Sequence, residues 1–430
     1  MAIKKRKLTK SFNLWQKATR LIPSGTQTLS KAPNQFVHGI TPIFLQKGKG
    51  AYVWDVDGNK YLDYVMALGP IILGYDYPAV TRAVIRQMHE GTVFTLPHPK
   101  EVELAQLLTE IIPCAEMVRF GKNGADATSA AIRAARAYTG RDDFAYCGYH
   151  GYQDWYAITT ERNKGIPKIL AKFAHPFEFN NLKSLTDVFR QNPKKIAAVI
   201  MEVPDVEPNN NFLQAVMDLA HKNGAIFILD EIVTGFRYAL GGAQEYYKIK
   251  PDLACFGKGM ANGLPISAVV GKRQIMMEFE EVFFSTTYGG DTLALSASIA
   301  TIKEIRRRQA IRHFWDLGKL WKQRFNEIAE GLKIDAQVIG PGPRTHFEFK
   351  DVKGKDSLLL KSLFLQETIK RGILFGGPIF ISLSHTKQDI KKTLEASEEA
   401  LKIIKKAMAD GDVKKYLEGE PIGEVFRKRN

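Results

Sequence analysis

From about residue 78 to about residue 300 the chain alternates helical stretches with short, almost wholly apolar runs, and this alternation restricts its fold more than any other feature. A strand with one wet face shows a polar residue at every second position. Ile196-Ala197-Ala198-Val199-Ile200-Met201 and Ala225-Ile226-Phe227-Ile228-Leu229 show none, so both read as strands buried on two faces of a mostly parallel sheet. Helices must then cover both sides of that sheet, and Phe212 to His221 supplies one between the two strands. The class is α/β. Outside this region the pattern changes. Ala51-Tyr52-Val53-Trp54 and Tyr61-Leu62-Asp63-Tyr64-Val65 flank the turn sequence Asp57-Gly58-Asn59, which predicts a hairpin. Val338-Ile339, Thr345 to Phe349 and Ile379 to Leu383 read as strands of a smaller α+β unit, with helices at Leu358 to Arg371 and Gln388 to Met408. The expected division is residues 1–70 joining the small domain, 71–320 as the large domain and 321–430 as the C-terminal small domain.

Open α/β sheets place ligand-binding groups at the carboxyl ends of their strands. Two such ends carry chemistry here. The 225–229 run leads into Asp230-Glu231, and the neighbouring short strand Leu253-Ala254-Cys255-Phe256 leads into Gly257-Lys258-Gly259. A lysine amine held on a rigid element, and a carboxylate able to keep a pyridine nitrogen protonated, are what pyridoxal chemistry asks of a protein. A Gly-Lys-Gly met alone is a solvated loop; the company of Asp230 and of two strand ends singles out Lys258.

Gly121-Lys122-Asn123-Gly124-Ala125-Asp126 opens an alanine-rich helix that runs to about Tyr138, and a helix N-terminus offers free amides and the positive dipole end to a phosphate. An ordinary helix capped by Asn123 or Asp126 fits the same residues. The segment is not a Walker loop, because no Gly-Lys-Ser/Thr follows at the required spacing. Tyr149, between Gly148 and His150-Gly151, either stacks on a flat heteroaromatic ring or fills a turn. His150 is open to an acid/base role near the substrate and to a structural one, while the lysine itself can move the substrate proton. Ile232, two residues beyond Asp230, points to the same side and can pack beneath a ring. Arg237 is open to a structural ion pair.

The formal charge of +15, from 61 Lys+Arg against 46 Asp+Glu, favours anionic small molecules, but its densest runs, Lys4 to Lys7, Arg306 to Arg308 and Arg427 to Arg429, read as solvated faces rather than as a nucleic-acid groove. Cys114, Cys147 and Cys255 make neither a CxxC pair nor a zinc pattern, so no metal is expected and a reducing compartment fits. No apolar run has membrane length. A soluble cytoplasmic protein is the expectation, with no nucleic acid and no membrane among its partners.

Together these residues resemble the class III, fold type I pyridoxal-phosphate aminotransferases, and in particular the glutamate-1-semialdehyde aminomutase branch. The resemblance runs from the Gly50 to Pro70 hairpin region through Ala134 to Asp142, Tyr149-His150-Gly151 and Asp230-Glu231 to Ser384-His385-Thr386. It implies a fold type I transferase with pyridoxal 5'-phosphate (PLP) as cofactor and Lys258 as its Schiff-base lysine. It implies Asp230 at the pyridine nitrogen, Tyr149 and Ile232 on the two ring faces, and Asn123-Gly124-Ala125 as the phosphate loop. Thr287 falls where the family takes a phosphate ligand from the adjacent subunit, which implies a homodimer with its active site at the interface. Thr28 and Lys31 in the polar loop 23–31, Leu68 and His150 are the candidate substrate residues.

The departures sit on the substrate side. Lys31 stands where the aminomutase pattern has an arginine, Leu68 where it has a tryptophan before Gly-Pro, and the segment 376–381 lacks the carboxylate expected there; Ala125 replaces a threonine in the phosphate loop. The implied activity is transfer of an amino group from a small-molecule amino donor to a carbonyl acceptor, with an oxo-sugar preferred. A true aminomutase is the alternative, and a noncatalytic or nucleic-acid-binding member of the fold comes third.

Overall fold

The computed structural model describes residues 6–209 and 211–423, so Lys4, Lys5 and the run 427–429 lie outside the described residues. The chain divides into two compact units, one built from the chain up to Tyr77 and again from Arg312, the other from Pro78–Ile311.

In the first unit β1 (Leu45–Lys49), β2 (Tyr52–Asp55) and β3 (Lys60–Asp63) run antiparallel. Asp55 fixes the β2–β3 turn: its Oδ1 accepts the N–H groups of Asp57 and Asn59 at 3.0 and 2.7 Å. Gly58 takes a left-handed φ of 87°, a conformation that glycine enters without a Cβ penalty.

The second unit holds β4 (Met117–Gly121), β5 (Asp143–Cys147), β6 (Ala174–Pro176), β7 (Ile196–Glu202), β8 (Ile226–Asp230), β9 (Leu253–Phe256) and β10 (Ser267–Gly271). They form one sheet in the order β4-β10-β9-β8-β7-β5-β6. Neighbours from β6 through β9 are parallel, whereas β10 is antiparallel to both β9 and β4. Every residue of β8, β9 and β10 is buried, which is why these runs carry no polar alternation. The Gly124–Thr139 helix links β4 at one edge to β5 on the far side. Its Ala127, Ala130, Ala131, Ala134 and Ala135 are buried against Ala198, Ile228, Cys255 and Val269, and methyl side chains let the helix axis lie close to the strands. Arg306, Arg307 and Arg308 end the Thr292–Arg307 helix exposed, Arg307 pairing with Glu304.

Returning to the first unit, β11 (Ala336–Ile339), β12 (Arg344–Phe349) and β14 (Pro378–Phe380) form an antiparallel sheet, while β13 (Ile373–Leu374) lies parallel to β3. Trp321, Phe325, Phe347, Phe364 and Phe375 pack ring against ring in its core. The strand expected over Ile379 to Leu383 stops at Phe380. Beyond it the Ser382 N–H donates to His385 Nδ1 at 3.0 Å and the Ser384 hydroxyl to the Leu73 carbonyl at 2.7 Å, so the chain turns instead of continuing the ladder. Among the described residues no helix is long and apolar enough to cross a membrane.

Candidate active site

The carboxyl ends of the parallel strands in the second unit gather the chemistry. Asp230 closes β8, in register with Glu202 at the end of β7 and Cys255 of β9, and β9 runs on through Gly257 to Lys258. Lys258 has φ 38°, an uncommon backbone state for a residue with a Cβ, and it opens the short Lys258–Ala261 helical turn. Strain of this kind persists where surrounding structure over-determines it, and it clusters at functional sites.

Asp230 is 4% exposed and does not lack partners within the chain. Its Oδ2 lies 2.7 Å from His150 Nδ1, and its Oδ1 accepts the Ile232 N–H at 3.0 Å. A carboxylate only accepts, so the imidazole donates. This revises the place of His150 among the substrate residues: the ring is 2% exposed, its Nε2 faces the Cys147 carbonyl at 3.2 Å, and it serves the carboxylate of Asp230. The Thr128 hydroxyl, one turn into the alanine-rich helix, donates to the His150 carbonyl at 2.7 Å and fixes the loop from behind.

Tyr149 is 38% exposed, and its ring meets Tyr156 edge-on at 5.5 Å. Its N–H donates to Glu202 Oε1 at 3.0 Å. A Cβ on Gly148 would come within 2.4 Å of the Glu202 side chain, so only glycine lets the loop approach so closely. Glu202 was missed from the sequence although the signal was available: like Asp230, it is an acid at the end of a buried strand. Ile232 lies against the start of the Gly124–Thr139 helix. A Cβ built on Gly124 would sit 3.0 Å from Ile232 Cγ2, and one on Gly257 3.1 Å from Ile232 Cδ1.

At the start of the Gly124–Thr139 helix, Asp126 Oδ2 accepts the N–H groups of Lys122 and Asn123 at 2.9 and 2.7 Å. That leaves the next amides, those of Gly124 and Ala125, among the first-turn donors for which a helix has no intrahelical partner. Ser267, fully buried and paired across the ladder with Gly121, has a hydroxyl without a hydrogen-bond partner. Thr287 is exposed in the turn 287–290.

Neighbouring groups fall outside this chemistry. Glu231 is fully buried, accepts the Ala243 and Gln244 N–H groups at 2.8 Å each and a bond from Thr234, and burial pushes its carboxyl up to about 7. It anchors the 242–244 backbone. Arg237 is core, its Nε donating to the Val233 carbonyl at 3.3 Å. Burial raises the Cys147 thiol to about 12 and Cys255 well above its usual range, so neither is a nucleophile. Among the described residues no cluster of ligands could hold a metal ion.

Thr28, Lys31 and Leu68 belong to the other unit. There Lys31 and Leu68 line one cavity of about 340 Å³ with Trp15, Phe36, Phe44 and Tyr75, whereas Thr28 is not part of its wall. Met66, Ala67 and Leu68 all have positive φ, 46°, 56° and 72°. Asp63 holds this left-handed turn, Oδ1 accepting from the N–H groups of Val65 and Met66 and Oδ2 from the Tyr75 hydroxyl at 2.7 Å, while burial raises its carboxyl.

Residues 35–408 match the family described as aminotransferase class-III. The chain is 35% identical over 429 residues to glutamate-1-semialdehyde 2,1-aminomutase 2 of Lachnoclostridium phytofermentans, an alignment covering 92% of this chain and 100% of that protein. It is also 35% identical over 417 residues to the 3-aminobutyryl-CoA aminotransferase of Cloacimonas acidaminovorans, covering 94% and 99%. Among solved structures, the PLP-containing FumI protein of Sphingopyxis sp. MTA144 superposes with a TM-score of 0.88 at 26% identity, covering 96% of this chain and 99% of that one. This chain therefore belongs to the class-III aminotransferases, the fold type I enzymes that work with pyridoxal 5'-phosphate.

Proposed function

We propose that the chain is an aminotransferase that takes an amino group from a small-molecule donor and delivers it to a carbonyl acceptor, working as a homodimer in a reducing, cytoplasmic setting. The observation that carries this reading is Asp230 at the end of β8, fixed by His150 at 2.7 Å, beside the strand that leads into Lys258. The residues around it fit PLP. Two glycines, Gly124 and Gly257, open space against Ile232 that a Cβ would close; the buried Ser267 hydroxyl still has a bond to give; and a helix N-terminus faces a phosphate favourably.

When bound, PLP supplies an aldehyde that captures amines and a ring that takes up electrons. Lys258 would hold the cofactor through its Nζ, and the same amine would move the proton at the substrate carbon. Asp230 keeps the proton on the ring nitrogen, and His150 holds the Asp230 carboxylate in place. Tyr149 and Ile232 cover the two faces, the first kept in register by Glu202. The amides of Gly124 and Ala125 hold the phosphate, the Asn123 N–H being taken by Asp126, and Thr287 reaches the site of the partner subunit.

The oxo-sugar preference rests on the altered substrate residues and the net charge of +15. Isomerisation of glutamate-1-semialdehyde is the second reading, favoured by the first of the two relatives at 35% identity. One assay separates them. Purified enzyme given a panel of carbonyl acceptors and amino donors is expected to form an aminated acceptor only when a donor is added, whereas rapid formation of 5-aminolevulinate from the semialdehyde without donor would overturn the transferase reading.

A further inference from the structure

Lys122 lies inside the phosphate-loop motif, yet its side chain turns away from the loop. Its Nζ donates to Asp291 Oδ2 at 2.8 Å and to the Pro265 carbonyl at 3.0 Å. Both partners of the ion pair are largely buried, their side chains 17% and 19% exposed, so the screening that makes surface pairs nearly worthless acts weakly here. Three segments meet at this ammonium. The first is the phosphate loop itself, whose Lys122 and Asn123 amides are held by Asp126. The second is the stretch from Lys258 to Ser267, touched at Pro265. The third is the turn that carries Thr287: Asp291 caps the Thr292–Arg307 helix by accepting the Leu293 N–H at 3.0 Å, and its own N–H closes onto the Tyr288 carbonyl at 3.1 Å.

We infer that the Lys122–Asp291 pair is a positioning device for the cofactor phosphate, setting how tightly this chain grips PLP by locking the phosphate loop to the Lys258 segment and the Thr287 turn. The inference rests on the cofactor assignment proposed above and goes beyond it, because neither side chain is assigned a contact with the cofactor. A flexible lysine ammonium suits the task, since its three donors can serve a carboxylate and a carbonyl together, while the Gly124 and Ala125 amides face an anion.

The phosphate makes the test selective. Lys122→Met and Asp291→Asn are titrated as full-length apoprotein with PLP and, separately, with pyridoxal, which offers the same aldehyde and ring without the phosphate. The apparent dissociation constants are read from the visible absorbance. PLP binding is expected to weaken about tenfold or more in each variant, while pyridoxal binding stays within about twofold of the wild type; the double variant is expected to be no worse than the weaker single one. Equal losses for PLP and pyridoxal, or no loss of PLP binding in either variant, overturn the inference. Far-UV circular dichroism identifies a variant that fails to fold, and Asp291→Asn, which keeps the cap acceptor, then decides alone. Wild-type protein that binds neither compound defeats the cofactor assignment itself, an outcome distinct from a variant that merely matches the wild type.

Discussion

His150 and Asp230 stand eighty positions apart in the chain and 2.7 Å apart in the fold, and the pair shows how a buried carboxylate is kept available. Removing the imidazole leaves Asp230 with the Ile232 N–H alone, and losing a hydrogen bond to a charged group costs about 1.5–3 kcal/mol. His150→Ala is therefore expected to lower stability by that amount in denaturant unfolding, and to lower kcat more than it raises KM. A variant with unchanged kcat would show that the ring only packs. At the same scale, the strand ends that lead to Lys258 and Asp230 were legible in the sequence, because a buried parallel strand announces itself by lacking polar alternation and so marks its own end. The partnership of His150 with Asp230, the grip of Glu202 on Tyr149 and the Lys122–Asp291 pair were not. Each depends on the register in which distant strands and turns meet, and no local pattern encodes that. His150 was visible as a residue with two roles left open, since an imidazole in a loop looks the same whether it faces substrate or a buried carboxylate.

The alanine face of the Gly124–Thr139 helix belongs to the scale of elements. Ala131 is fully buried against the sheet, and a larger side chain there forces the helix away from the strands it covers. Ala131→Leu is expected to destabilise by about 1–3 kcal/mol, and, because the helix begins at the proposed phosphate loop, to weaken PLP binding as well. In the other unit the turn after β14 depends on a neutral imidazole. His385 Nδ1 accepts the Ser382 N–H at 3.0 Å, Nε2 faces the Asp63 carbonyl at 3.1 Å, and burial lowers its pKa from 6.5 to about 4. A depressed histidine contributes stability that is fully present above the unfolded value and is lost as pH falls through the folded one. The window is therefore pH 6.5 down to about 4, and the loss about 3 kcal/mol at 1.36 kcal/mol per unit. Unfolding midpoints measured across that window are expected to fall less steeply in His385→Asn than in the wild type; parallel slopes would remove the assignment. The hairpin and both small-unit helices were readable from turn residues and periodicity. The end of β14 at Phe380 was not, because Ser382 turns back onto His385 and Ser384 finds the distant Leu73 carbonyl.

For the whole molecule the proposal requires two copies. Phe283 and Tyr288 are 82% and 59% exposed beside Thr287, an apolar surface a single chain does not need. Phe283→Arg with Tyr288→Glu is expected to give a monomer by light scattering, with weakened PLP binding through loss of the partner's Thr287 contact; a stable dimer would place the interface elsewhere. The change of pattern near residues 78 and 300 was legible in the sequence. The cavity of Lys31 and Leu68 was not, since its walls bring together helix, strand and loop residues, from Trp15 to Leu374, whose packing the sequence does not express. All of this turns on Lys258. Incubation of the purified protein with PLP, reduction with borohydride and peptide mapping by mass spectrometry test that point directly: the expected result is one phosphopyridoxyl adduct, on Lys258, and its absence, or its appearance on another lysine, would contradict the account.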